Sequence, residues 1–221
     1  MLAVLKVRSV YWALNDYLPA EAKNLGDKIT NAILPEEFNQ DLDWGVLEPG
    51  EIERLERILQ NVFRYLAELR LKDALANRIQ NPKIPRVMSE SAVINIRSKL
   101  FPGSLGARFG GAVGDILLQF PDGERRAEVK ATGKQGYEKL GKKDISADYL
   151  IWIHFGSSFE DGKGGVVLYK LAKPSLVLTT PPNKQFLDIR INEFLKIAAR
   201  QGLEEFRGSS LGEIVRTYAA A

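Results

Sequence analysis

The chain has 221 residues, 45% of them hydrophobic and 27% charged, which suits a globular protein able to bury its own core. It has no cysteine and a single histidine, which excludes disulfides, thiolate metal centres, cysteine nucleophiles, histidine clusters and a Ser-His-Asp triad. Net charge is only +3, yet residues 1–60 carry 6 Lys/Arg against 11 Asp/Glu while residues 97–143 carry 10 against 5, and such a local basic field points to a polyanionic partner.

In chain order, residues 8–32 show broad helical periodicity, and the acidic "PEEFNQDLDWG" after it reads as a connection. Residues 50–80 give the clearest helix: Ile52, Leu55, Ile58, Leu59, Val62, Leu66 and Leu69 recur at steps of three and four. That stripe is read as core packing, with a dimer seam or part of a DNA grip as the alternatives. Prolines in "NPKIPRV" break the chain, and Ser89 in "SESAVINIRSKL" is read as the cap of a new helix ending before Pro102. "GDILLQF", "RRAEVKAT", "ADYLIWIHF" and "GGVVLYKLA" are β-branched or aromatic runs between turn residues, hence strands. "EFLKIAARQGLEEF" and "LGEIVRTYAA" return to helical spacing. The expectation is an α/β (α+β) fold, a central mixed sheet flanked by helices, with a helical N-terminal region over 1–84 and a core over 85–221. No apolar run approaches the roughly 18 residues of a bilayer span. The N-terminus lacks signal-peptide order, so a cytoplasmic chain without membrane contact is expected.

The chemistry concentrates in "GDILLQFPDGERRAEVKAT". Pro121, Asp122 and Gly123 set a hairpin turn. If Phe120 and Arg125 close a four-residue loop, Asp115 lies opposite Lys130 and Leu117 opposite Glu128, so Asp115, Glu128 and Lys130 share a face. A three- or five-residue loop turns Asp115 to the other side. Two adjacent carboxylates repel unless a cation lies between them, and an oxygen-only set selects a hard ion such as Mg²⁺. The backbone carbonyl of Val129 can complete its shell. Lys130 can hold or deprotonate an attacking water, or neutralise developing charge. The competing reading is a cross-strand salt bridge on a wet sheet face.

"GD" at 114–115 followed by "EVK" at 128–130 resembles the PD-(D/E)xK phosphodiesterase superfamily, which includes type II restriction endonucleases, resolvases and repair nucleases. Gly114 stands where the family usually has proline, and the resemblance covers about residues 85–170. It implies a restriction-endonuclease-like core and a Mg²⁺-dependent endonuclease, with Mn²⁺ as a substitute ion. Hydrolysis of double-stranded DNA would leave a 5′-phosphate and a 3′-hydroxyl. The size resembles a site-specific type II restriction enzyme, and cutting both strands implies a homodimer. By the same resemblance Asp115 and Glu128 are the metal ligands and Lys130 the third catalytic group. Glu90, on the preceding helix, assists the metal; otherwise it compensates charge in that helix's first turn.

DNA contacts are expected from Lys134, Gln135, Tyr137, Lys139, Lys142 and Lys143 in the basic segment, and from Arg108 in the glycine-rich "FPGSLGARFGG". His154, inside an apolar run, is read as packed rather than catalytic, and Trp12, Trp44 and Trp152 as core or interface. The alternatives are a resolvase or repair nuclease of the same core, a non-catalytic DNA-binding module, and a protein-interaction domain assembled through the 50–80 helix.

Overall fold

The computed structural model describes residues 45–72, 82–111, 113–161 and 164–219. The expected helix over 8–32, Trp12, Trp44 and the end of the 50–80 helix lie outside the described residues.

The hydrophobic alternation of the central runs is what assembles the sheet. β1 (Gly106–Phe109), β2 (Ile116–Phe120), β3 (Gly123–Thr132), β5 (Tyr149–His154), β6 (Val166–Ala172) and β8 (Glu204–Gly208) form six strands in the order β1-β2-β3-β5-β6-β8. Only β3 and β5 run parallel; the other neighbours are antiparallel, so the sheet is mixed. The crossover from β3 to β5 carries β4 (Tyr137–Gly141), which pairs with β7 (Phe186–Arg190) in a separate two-stranded ribbon.

Period two divides the side chains between two layers. Ala127, Val129, Ile151, Ile153 and Leu168 enter one core, beneath α1 (Pro49–Lys72), α2 (Arg86–Asn95) and α7 (Leu211–Ala219). Leu150, Trp152, Tyr169 and Leu171 enter the other, covered by the ribbon and α6 (Ile191–Ala198). Among the described residues there are also three short α-helices, α3 (Arg97–Leu100), α4 (Lys142–Ile145) and α5 (Ser158–Asp161).

The leucine stripe of α1 is partly covered from within the chain. Ile52, Leu55, Leu59, Phe63 and Leu66 are buried, and the Phe63 ring stacks on Phe159 of α5 at 5.1 Å. Each such side chain contributes about 1.5–3 kcal/mol of burial. α1 thus shares one core with the sheet through Ile52, Leu55, Leu59 and Phe63, across the expected division at residue 84.

Two local expectations are corrected. The helix containing Ser89 starts at Arg86, with Pro85 at the cap position, so Ser89 instead donates to the Arg86 carbonyl at 3.0 Å. The helical reading of 193–206 ends at Ala198: beyond Gly202, which takes φ 76°, "EEFRG" becomes edge strand β8. Its one buried side chain, Phe206, joins the helix-covered core, and that tertiary contact overrides the local spacing.

Candidate active site

The turn between β2 and β3 fixes the site. Phe120 pairs with Gly123, leaving Pro121 and Asp122 as a two-residue loop, and Gly123 takes φ 136°, a value that favours glycine. The expected four-residue loop is therefore corrected: paired residues shift by two, to Ile116 opposite Ala127. A shift of two preserves the face. Continued one step beyond β2, the register sets Asp115 opposite Glu128 rather than Lys130, with all three still on the ribbon side of the sheet.

β3 runs past the end of β2, so the Val129 N–H has no ladder partner there. The Asp115 carboxylate supplies it, with Oδ2 accepting from Val129 N at 2.8 Å. In an extended strand the N–H and C=O of one residue leave by the same edge, so the Val129 carbonyl is turned toward this gap as well. The loop before Asp115 is closed by Gly110, whose N–H donates to the Asp115 carbonyl at 3.0 Å. A Cβ on Gly110 would stand 2.5 Å from the Gly114 carbonyl oxygen, so only glycine allows this approach.

Glu128 is 1% exposed, and its Oε1 is buried with no hydrogen-bond partner. Lys143 Nζ lies 3.6 Å from that oxygen, outside hydrogen-bond distance. Burial first, and the charge of Asp115 second, push the Glu128 carboxyl up to about 7. Glu90 is pushed to about 7 by the same two causes in the same order. It sits in the second turn of α2, not the first, so it does not offset that helix's N-terminal charge. An orphaned buried carboxylate oxygen beside a second carboxylate and a backbone carbonyl fits a hard divalent cation. Among the described residues no three Asp, Glu or His side chains gather as a cation-holding group. The fit therefore rests on Asp115, Glu128 and the Val129 carbonyl.

Asp115 and Glu128 open into a cleft of about 510 Å³. Its wall carries Arg86, Lys130, Lys142 and Lys143 among Asp115, Glu128 and Asp144, with Gln185 and Phe186 from the ribbon side. Lys130 Nζ pairs with Asp144 Oδ1 at 2.7 Å, with the two side chains 17% and 11% exposed. Burial of Lys130 favours the neutral amine, but Asp144, Asp115 and Glu128 outweigh it, and the net direction is upward. Of the roles expected for Lys130, holding a water or a phosphate oxygen as an ammonium agrees with this environment, and deprotonating the water does not.

The expected DNA contacts divide. Lys142 and Lys143 reach the cleft, from a helix of their own. Gln135 and Lys139 are exposed in and beside the ribbon. Lys134 pairs with Glu160 at 3.1 Å, Arg108 pairs with Glu124 at 3.1 Å, and the Tyr137 hydroxyl donates to Asp188. None of these five lines the cleft. His154 closes β5 with Nδ1 3.2 Å from Thr132 Oγ1, burial holding its pKa down, and Trp152 is fully buried. Sequence reasoning missed Arg86, Asp144 and Phe186. The "GKKD" run was the available signal for Asp144, since an acid three residues past a glycine can close a helix N-terminus.

Comparisons with protein-family models, with curated proteins and with solved structures return no match.

Proposed function

We propose that this cleft hydrolyses phosphodiester bonds of double-stranded DNA with the aid of Mg²⁺, on a core of the restriction-endonuclease type. The observation that carries the reading is the Glu128 Oε1 atom, buried without a hydrogen-bond partner on the same face as Asp115. Native proteins rarely leave such an atom unpaired unless an ion or water completes it.

Asp115, Glu128 and the Val129 carbonyl would hold the ion, which when bound supplies Lewis acidity and a water of lowered pKa. Lys130, held as an ammonium, orients the attacking water or a phosphate oxygen. Arg86, Lys142 and Lys143 on the cleft wall bind the flanking phosphates. Water adds to phosphorus and releases a proton to bulk water, the bond to the 3′ oxygen breaks, and that oxygen takes up a proton from bulk water, leaving 5′-phosphate and 3′-hydroxyl ends. Site-specific cutting of both strands by a homodimer, as in a type II restriction enzyme, is the finer form of the proposal.

A second reading has its own support. Lys143 stands beside Glu128 and Asp144 pairs with Lys130, so the cleft charges largely compensate one another without an ion. This favours a non-catalytic DNA-binding surface. Incubation of plasmid DNA with Mg²⁺, with Ca²⁺ and with EDTA separates the two. Mg²⁺-dependent fragments support the nuclease, and retardation of DNA without cleavage supports the binding module. Discrete fragments indicate a restriction enzyme, whereas preference for branched DNA indicates a resolvase.

A further inference from the structure

Lys130 is not oriented by its own strand. A lysine side chain carries about 2 kcal/mol of rotamer entropy, and β3 fixes only where it starts. Its end is fixed by Asp144, whose Oδ1 lies 2.7 Å from Nζ. Asp144 is in turn held at its other oxygen, Oδ2, by the Gly141 N–H at 2.6 Å. The short helix bearing it is pinned on both sides by buried apolar residues, Leu140 at 0% and Ile145 at 8% exposure. Both carboxylate oxygens are thus assigned, one to the helix start and one to the lysine. An ordinary surface ion pair has neither the burial nor the second anchor.

Resting on the nuclease reading, we propose that Asp144 is a positioning residue: it fixes the Lys130 ammonium beside the Asp115–Glu128 pair. The helix after β4 then sets the reactive geometry on β3, and a group from outside the hairpin completes the site.

The test compares Asp144→Asn, Asp144→Glu and Lys130→Ala in Mg²⁺-dependent DNA cleavage. Asn keeps an oxygen for the Gly141 N–H, so the helix start is retained, while its NH2 replaces the charged acceptor that faces Lys130. The expected result for Asp144→Asn is a fall in kcat of roughly 10- to 100-fold, the scale of a misplaced reacting group, with KM for DNA unchanged. Asp144→Glu recovers part of that loss. Combining Asp144→Asn with Lys130→Ala costs no more than Lys130→Ala alone, because the carboxylate acts through the lysine. A ¹⁵N signal from the Lys130 ammonium, sharpened by the ion pair, is present in the wild type and lost in Asp144→Asn. Wild-type kcat in Asp144→Asn, or losses that multiply in the double variant, overturns the positioning role and leaves the nuclease intact. A wild type that never cuts overturns the nuclease reading and this role with it.

Discussion

At Glu128 and Glu90 the fold opposes its own charges. Both carboxyls are raised to about 7 by burial and by Asp115. Between the ordinary value near 4.5 and about 7, the folded chain holds protons that the unfolded chain has released. These two groups therefore contribute stability at acid pH, and lose it as pH rises toward about 7. The metal-free protein is expected to melt at lower temperature near pH 8 than near pH 5.5 through this contribution. Glu128→Gln, which cannot ionise, should raise Tm near pH 8 in EDTA, by roughly 2–4 °C for each kcal/mol relieved in a chain of this size. Thermal melts of both proteins check this; a variant melting at or below the wild type would show that Glu128 is satisfied as it stands. Mg²⁺ should raise the wild-type Tm near pH 8 and leave that of Glu128→Gln nearly unchanged.

Two elements illustrate what the sequence reveals and where it stops. The β2–β3 hairpin was legible because Pro121-Asp122-Gly123 is turn chemistry and the flanking runs alternate. The loop length was not, since four- and two-residue loops both preserve the alternation. The pairing of Asp144 with Lys130 was not legible, because Asp144 lies within the β3–β5 crossover and only the folded chain brings it back to β3. Nor was Glu56, read simply as part of an amphipathic helix. It is 1% exposed, and its two oxygens accept the Leu211 and Gly212 N–H groups at 3.0 and 3.1 Å, closing the N-terminus of α7. Such a long-range cap has no local signature. Glu56→Ala leaves two buried N–H donors without acceptors and should destabilise the protein by about 2–4 kcal/mol. Urea unfolding checks it; a loss below about 0.5 kcal/mol would mean that water replaces the carboxylate. Gly110→Ala should also destabilise, because its Cβ meets backbone rather than a movable side chain.

For the whole molecule, the mixed sheet places a helical layer on one face and the β4–β7 ribbon on the other, and the cleft opens on the ribbon side. The fold class was readable from hydrophobic runs alone, whereas the ribbon was not: β7 follows a proline-bearing loop, and β4 lies in a stretch read as basic loop. No helix among the described residues is long and apolar enough to cross a membrane. The uneven charge predicts DNA binding that weakens steeply with salt. Lys142→Ala should reduce the slope of log K against log salt by about 1 without changing sequence preference. A slope identical to that of the wild type would remove Lys142 from the phosphate contacts.

The proposed function requires Asp115 and Glu128 to hold a divalent ion where DNA is cut. The most direct measurement is cleavage of supercoiled plasmid at low salt with Mg²⁺, comparing wild type with Asp115→Ala and with an EDTA control. Cutting by the wild type is expected only with Mg²⁺, with a loss of at least about 10²-fold in the variant. Cutting that persists in Asp115→Ala, or DNA bound by the wild type and never cleaved, would contradict it.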